Sequence, residues 1–320
     1  NEDLSLDASV QIYEKLDSPN SDRYEYVFPS YSINKSIDAN FDLNGAFSLT
    51  SSGSQHLHST NIKETQIIND LLYQSHDKFS INGIKNNYNI LLKNVNTDGK
   101  NSSKYKNKLQ AELLSTFIFE TSYPLLREGI NFNNYLTPKI SFRYSPNNMK
   151  NLKNDNRRIG INNIFSLNRI ASSDTVESGQ SITIGTEYKK SRKTEDLPED
   201  FFELSLATVF RDEINDNLPN SSSLGKKSSD IVGQIKFIPN DFINSSYNFS
   251  LDNNFDQFKY NELVTDFTVN NFVTSFRYVE EQSNIGDNHY LQNTTSYKFN
   301  ESNSISFATR KNKKIDLTEF

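Results

Sequence analysis

The segment Leu4-Ser5-Leu6-Asp7-Ala8-Ser9-Val10-Gln11-Ile12 alternates apolar and polar residues without a break. Successive side chains of a β-strand point to opposite faces, so this order gives one strand an apolar face and a polar face. The segment therefore predicts a strand with one side in an apolar medium and the other side in water.

The same period of two recurs along the chain. Most runs approach the length of about 9–11 residues with which a tilted strand crosses a bilayer. Residues 61–74 have a mixed spacing that would also suit a short helix, but both flanks alternate, and we predict a strand there. The other alternating runs are Ile37–Leu43, Ile182–Tyr188, Phe202–Phe210, Ile231–Phe237, Tyr247–Leu251, Phe272–Tyr278 and Ile305–Thr309.

The segments between these runs are of two kinds. Pro239-Asn240-Asp241 and Asn300-Glu301-Ser302-Asn303 are short and rich in turn-forming residues. Longer polar connections are predicted at 94–104, 147–158, 190–200, 212–229 and 280–288. Short turns that alternate with long loops are typical of outer-membrane barrels.

The composition also favours a barrel. Only 34% of the 320 residues are hydrophobic and the mean hydropathy is −0.69, yet 12% are aromatic. A membrane barrel reconciles these values, because only every second residue has to be apolar.

The net charge is −6 with cations and anions interspersed, which argues against nucleic-acid binding. Because the sequence begins at Asn1 without a signal peptide and ends within a possible strand, we expect it to be an interior segment.

Little in the sequence predicts catalysis or a cofactor. There is no cysteine, no Gly-x-Ser-x-Gly motif and no phosphate-binding glycine loop. His56 and His58 would share one face of a strand, a geometry that can bind a metal, but solvated histidines are the favoured interpretation. Glu199-Asp200 and Glu280-Glu281 are interpreted as solvated charges rather than acid–base pairs. We therefore expect no catalytic residue, no cofactor and no metal.

Three segments carry a resemblance to a known family. Leu136–Pro146 (Leu-Thr-Pro-Lys-Ile-Ser-Phe-Arg-Tyr-Ser-Pro), preceded by Tyr123-Pro124-Leu125, resembles a strand of the lipopolysaccharide-assembly outer-membrane proteins, the LptD family. Asn162–Asp174, followed by Glu177-Ser178-Gly179-Gln180, is similar to that family's next segment. Leu218-Pro219 with Ser228–Gly233 resembles the loop that enters a further strand.

The resemblance implies an all-β fold, an antiparallel transmembrane β-barrel of which residues 1–320 are a partial set of consecutive strands. This chain would be part of one outer-membrane β-barrel domain, with an N-terminal periplasmic domain and the terminal strands not included. The implied function is non-catalytic transport of lipopolysaccharide and its insertion into the outer leaflet of the bacterial outer membrane. The implied partners are lipopolysaccharide, outer-membrane lipid, a lipoprotein plug and a periplasmic bridge protein.

The motif residues that the resemblance singles out are expected to shape the barrel rather than to touch a ligand. They are Pro138, Arg143, Tyr144, Ser145, Pro146, Asn168, Arg169, Asp174 and Asp230. Alternation alone would equally suit a diffusion porin or a receptor-type barrel, which stays open as the alternative function. An outer-membrane hydrolase is a third class, with His76 or His289 as the residues to test.

Overall fold

A computed structural model describes residues 4–17, 22–39, 44–59, 61–194, 199–282, 288–300, 302–314 and 317–319. These residues form one antiparallel sheet, as the alternation predicts. The strands are β1 (Leu4–Glu14), β2 (Tyr24–Ala39), β3 (Gly45–His58), β4 (Ile62–Ser75), β5 (Lys78–Phe79), β6 (Lys85–Lys100), β7 (Gln110–Ser122), β8 (Leu125–Glu128), β9 (Phe132–Ser145), β10 (Gly179–Arg192), β11 (Glu199–Arg211), β12 (Ile231–Asn240), β13 (Ile243–Leu251), β14 (Phe258–Val269), β15 (Phe272–Glu281), β16 (His289–Lys298), β17 (Ser304–Asn312) and β18 (Leu317–Glu319). Residues 61–74 are confirmed as a strand.

The strands form a meander in which each crossing pairs with the next one along the chain. Strands β7 and β8 pair with β9 in one continuous register, so they are a single crossing interrupted around Pro124. Strands β4 and β5 both pair with β6, with a shift of one residue between them. Within the described residues no pairing joins β1 to β18, so the strands form an open wall. A partial antiparallel barrel is therefore confirmed.

The sheet has an apolar outer face and a polar inner face. In the β9–β10 pair, Ile140 and Ile184 lie opposite each other and are 46% and 45% exposed. One residue along, Ser141 and Thr183 form a cross-strand pair on the other face and are 4% and 2% exposed. A water-soluble protein would bury the apolar set instead. The arrangement suits lipid outside and water or polar protein inside.

The longest connections lie on one side of the sheet. The first long connection, 146–178, follows β9, and the second, 212–230, follows β11. On the opposite side the turns are short, as at 241–242 and 270–271. The predicted asymmetry between the two sides is confirmed at these positions.

Two predicted connections are longer than the observed ones. Residues 94–100 of the predicted connection 94–104 belong to β6, where their backbone pairs with β4 and β7. Their outward asparagines are also paired along the sheet: the amide of Asn69 donates to Asn94 Oδ1 at 3.1 Å, and Asn96 donates to the same atom at 2.6 Å. The predicted connection 190–200 overlaps β10 and β11 at its two edges, because β10 continues to Arg192 and β11 begins at Glu199. Residues 195–198 of this connection lie outside the described residues.

The predicted connection 280–288 overlaps the end of β15 at Glu281, and its residues 283–287 lie outside the described residues.

Both long connections fold onto the inner face and carry the hydrophobic core. One cluster joins the two connections to β11 and β12 and consists of Met149, Leu152, Ile159, Ile164, Ile170, Ala207, Val209, Leu218, Leu224 and Val232. A second cluster packs Val176 against Ile68, Leu91, Val95 and Leu114 of β4, β6 and β7. The core therefore lies between the connections and the sheet, and not between two sheets.

The sheet curves around the first long connection. Ser173 contacts Lys93 of β6, whereas Arg158 contacts Glu281 of β15. Neighbouring strands lie about 4.8 Å apart, so a flat sheet would separate β6 and β15 by roughly 40 Å. Ile159, Ile164 and Ile170 pack in one cluster, so the connection is too compact to bridge a flat sheet.

Among the described residues, no helix has the length and hydropathy of a membrane-crossing helix.

A charge placed on the outer face should cost far more than the same charge on the inner face. Leu263 lies outward on β14 opposite Tyr278, and the neighbouring Val264 lies inward, on the face that carries Glu262 and Asp266. We expect Leu263→Lys to destabilise the folded protein in lipid vesicles by about 2–4 kcal/mol and Val264→Lys by under about 1 kcal/mol. Urea titration in vesicles measures both, and equal losses would contradict the assignment of the faces.

Candidate functional site

The first long connection is fastened to the inner face by a buried ionic cluster. We call Arg143, Arg169, Glu177 and Arg211 the arginine–glutamate cluster. Arg169 donates from Nε to Glu177 Oε2 at 2.6 Å and from its Nη2 to Oε1 at 2.5 Å, a bidentate pair. Arg211 of β11 also donates to Glu177 Oε1 and to the carbonyl of Ser178. One carboxylate therefore holds the connection against a neighbouring strand.

The remaining donors of the cluster bind the connection to β9 and β10. Arg143, at an inward position of β9, donates to the carbonyls of Leu167 at 2.8 Å and Ser166 at 2.5 Å. Arg169 donates to Ser181 Oγ at 2.8 Å and to Thr183 Oγ1 at 3.0 Å, both on β10. The three arginines thus join the first long connection to β9, β10 and β11.

The cluster is almost inaccessible to water, which makes its charges expensive to separate. Arg169 and Glu177 are each 2% exposed. Burial acts to raise the pKa of Glu177, but the arginines, Arg169 foremost, outweigh it and lower the pKa to about 2. The carboxylate therefore stays charged across physiological pH, and removing it would leave guanidinium groups buried without their counterion.

A turn at 168–172 places the next anchoring contact. The side chain of Asn168 donates to the carbonyl of Ser172 at 2.7 Å, and the Ser172 amide donates to Asn168 Oδ1 at 3.1 Å. Ala171 within this turn has φ of 49°, a conformation that is uncommon for residues other than glycine. The turn brings Asp174 to Lys150, whose Nζ donates to Oδ2 at 2.9 Å. Burial acts to raise the pKa of Asp174, but this hydrogen bond and charge lower it overall.

Lys93 fixes the far end of the same segment to β6. Its Nζ donates to the carbonyl of Ser173 at 2.9 Å and to both carboxylate oxygens of Asp70 at 2.8 and 2.7 Å. Asp70 lies on the neighbouring strand β4. The ammonium group therefore ties two strands and the first long connection together.

The second long connection packs against the first and ends with the motif Ser228-Ser229-Asp230, directly before β12. Ser229 Oγ accepts from the backbone N–H of Val209 at 2.9 Å, and Ser223 Oγ accepts from that of Asp230 at 2.9 Å. Between the connections, the hydroxyl of Ser221 donates to the carbonyl of Arg157 at 2.6 Å. The two connections thus form one packed body on the inner face.

The structure brings together most, but not all, of the motif residues predicted from the sequence. Arg143, Ser145, Asn168, Arg169 and Asp174 lie in or beside the first long connection on the inner face. Asp230 closes the second connection, and Pro146 begins the first. Pro138 and Tyr144 lie on the outer face, opposite Thr186 and Gln180 of β10.

Sequence reasoning gave no role to four residues that complete these contacts: Asp70, Lys93, Glu177 and Arg211. Three of them are charged residues within otherwise alternating strands, at positions that point inward. That pairing of charge with inward register is the signal that could have identified them.

The two histidines of the His-x-His pair each lie beside a glutamate. His56 and His58 share the inner face of β3, and their Nε2 atoms lie 3.1 Å from Glu25 and 3.8 Å from Glu64. In the part of the chain that the structure describes, no three His, Asp or Glu side chains are grouped to hold a metal ion.

The interpretation of Glu281 as a solvated charge is wrong. This side chain is buried because Arg158 and Asn288 bind its carboxylate, the amide of Asn288 at 3.1 Å.

Comparison with known proteins gives one family. The model of the family described as LptD, LPS transport system D, matches residues 1–310. A search of curated proteins finds no match.

Replacement of Glu177 by glutamine should release the first long connection from the sheet. Breaking a buried ion pair by removing one partner costs about 3–5 kcal/mol, because the other charge stays buried. We expect faster trypsin cleavage within 146–178 in the Glu177→Gln variant, with the strands still folded. The control is Glu213→Gln, an exposed carboxylate of the second long connection. Unchanged cleavage in Glu177→Gln would contradict the anchoring role.

Proposed function

The chain belongs to the LptD family, whose members transport lipopolysaccharide to the outer membrane, and from this premise we propose that its strands form the route by which lipopolysaccharide enters the outer leaflet. The family is a transport family rather than an enzyme family. The observation that carries the proposal is a family match over residues 1–310 of a chain whose sheet is apolar outside and polar inside.

The chemistry of the two faces supports this route. Lipopolysaccharide joins an anionic, hydroxylated sugar head to several acyl chains. The head needs hydrated surroundings with hydrogen-bonding groups, and the inner face offers them in Gln234, Asn248 and Glu262. The acyl chains suit the lipid that surrounds the outer face. Transport of this kind needs no chemical step, so we propose no catalytic residue.

The family motifs would serve this task by shape. We propose that Arg143, Asn168, Arg169 and Asp174 hold the first long connection on the inner face, and that Asp230 does so for the second. Pro138, Tyr144, Ser145 and Pro146 would set the path of β9 into the first connection. The support is that these buried arginines bind groups of the protein itself: Arg143 binds a backbone carbonyl and Arg169 binds a carboxylate.

The orientation and the partners follow from the same premise. Outer-membrane barrels have short turns on the periplasmic side and long loops outside. The short turns at 241–242 and 270–271 would therefore face the periplasm of a bacterial cell, and both long connections would lie towards the exterior. The proposed partners are lipopolysaccharide, a lipoprotein that plugs the barrel and a protein bridge across the periplasm. Residues 1–320 would be part of a single barrel domain.

The packed connections favour this proposal over an open diffusion porin. Both connections fold onto the inner face and build the core there, which narrows the space that a porin keeps open.

Depletion of the full-length protein in its native cell should stop lipopolysaccharide from reaching the surface. Surface lipopolysaccharide is measured by labelling intact cells, with depletion of an unrelated outer-membrane barrel as the control for general envelope damage. We expect the wild-type protein and Glu213→Gln to restore surface labelling and Glu177→Gln to restore less. Normal surface labelling after depletion would refute the transport function.

A further inference from the structure

A cleft separates the two long connections from the inner face of β12–β15. Its volume is about 720 Å³. The first connection contributes Lys153 and Arg158 to its wall, and the second contributes Lys226 and Asp230. The strands contribute mainly polar side chains, so the cleft suits a hydrated ligand rather than a hydrocarbon chain.

The cleft carries more positive charge than its wall neutralises. Arg158 pairs with Glu281, and Glu262 pairs with Arg277, whose Nε donates at 2.7 Å. These pairs leave Lys153, Lys226 and Lys259 facing one carboxylate, Asp230. Among the described residues, none of the three lysines has a carboxylate oxygen within 4.0 Å. This local excess contrasts with the net charge of −6 for the whole chain.

Lys259 reaches the wall through an irregularity of the sheet. Ser250 pairs with Tyr260 and Leu251 pairs with Phe258, so Lys259 is an extra residue between two paired positions. Such β-bulges re-aim a side chain and are common beside functional sites. Here the bulge adds a lysine to the wall of the cleft.

Asp230 is the one carboxylate in this wall that no arginine binds. The residue is 6% exposed, and its Oδ1 atom has no hydrogen-bond partner among the described residues. Burial raises the pKa of Asp230, and the charges of Lys226 and Lys259 oppose that rise. A buried oxygen without a partner is costly, and a hydroxyl or amine group of a ligand would satisfy it.

Neutral polar groups continue the wall along the strands. Gln234 Nε2 donates to Asn248 Oδ1 at 2.7 Å, and Asn248 Nδ2 donates to Glu262 Oε2 at 3.1 Å. The ring of Tyr260 lies 4.5 Å from the guanidinium carbon of Arg158. Amides, carboxylates and an aromatic ring together are groups that bind sugar hydroxyls and sugar faces.

We propose that this cleft is a binding site for a phosphorylated sugar, with the phosphate at Lys153, Lys226 and Lys259 and the sugar hydroxyls at Asp230 and Asn248. The proposal rests on the proposed function, because the transported glycolipid is the source of such a sugar. The proposal adds to that function a defined binding site on the inner face, where lysine side chains bind the head group of the transported lipid. Glu262 and Glu281 are bound by arginines, so they are not free to hold a metal ion there.

The test uses the full-length protein in detergent micelles with glucosamine 1-phosphate as the probe, and unphosphorylated glucosamine and inorganic phosphate for comparison. Saturation-transfer NMR measures the binding. We expect glucosamine 1-phosphate to bind more tightly than either comparison molecule, and the Lys153→Gln/Lys226→Gln/Lys259→Gln variant to bind it about tenfold more weakly, since each exposed charge contact is worth a fraction of 1 kcal/mol. Asp230→Asn should weaken the discrimination between the sugar phosphate and inorganic phosphate.

The matched control is Lys100→Gln/Lys106→Gln/Lys108→Gln, which removes equal charge from exposed positions on the same side of the sheet. An equal loss of binding in both triple variants would show attraction to bulk charge and overturn the site. Equal binding of inorganic phosphate would overturn the sugar part of the proposal. The transport function fails separately, through normal surface lipopolysaccharide after depletion.

Discussion

The structure depends on one constraint: every strand has to present its apolar residues to one side and its polar residues to the other. Backbone pairing between consecutive strands satisfies the N–H and C=O groups within the sheet, which a hydrocarbon surrounding requires. The side chains are then free to differ between the faces. Ile140 and Ile184 on the outside and Ser141 and Thr183 on the inside show the division across a single strand pair.

The polar inner face imposes a second constraint, because two long connections have to be fixed to strands whose inward side chains are mostly polar. The arginine–glutamate cluster fixes the first of these connections through buried ion pairs and hydrogen bonds. Arg169 and Arg211 bind the carboxylate of Glu177, and Arg143 binds backbone carbonyls of the first connection. Isoleucine and leucine side chains of both connections then pack against β11 and β12. The same packing leaves the lysine-rich cleft beside β12–β15, so anchoring and the proposed sugar site arise from one arrangement.

Much of the fold could be predicted from period and turn chemistry, and less of the site. Alternation identified the strands because it is a local property, and it placed even residues 61–74 correctly. It failed at 94–100, where Asn94 and Asn96 look like loop residues in sequence but form side-chain hydrogen bonds on the sheet. The partners of Arg169 could not be predicted, since its contacts with Ser181 and Thr183 depend on the connection folding back onto the strands. Glu281 was misread for the same reason: its partner, Arg158, is distant in sequence.

The measurement that most directly tests the account is the environment of each residue along one strand in a lipid bilayer. The chain has no cysteine, so single-cysteine substitutions at positions 272–277 of β15 can each carry one spin label without background. The account predicts that labels at 272, 274 and 276 collide with oxygen dissolved in lipid. Labels at 273, 275 and 277 should collide instead with a water-soluble nickel chelate. Accessibility without this alternation, or with the two sets exchanged, would contradict the account.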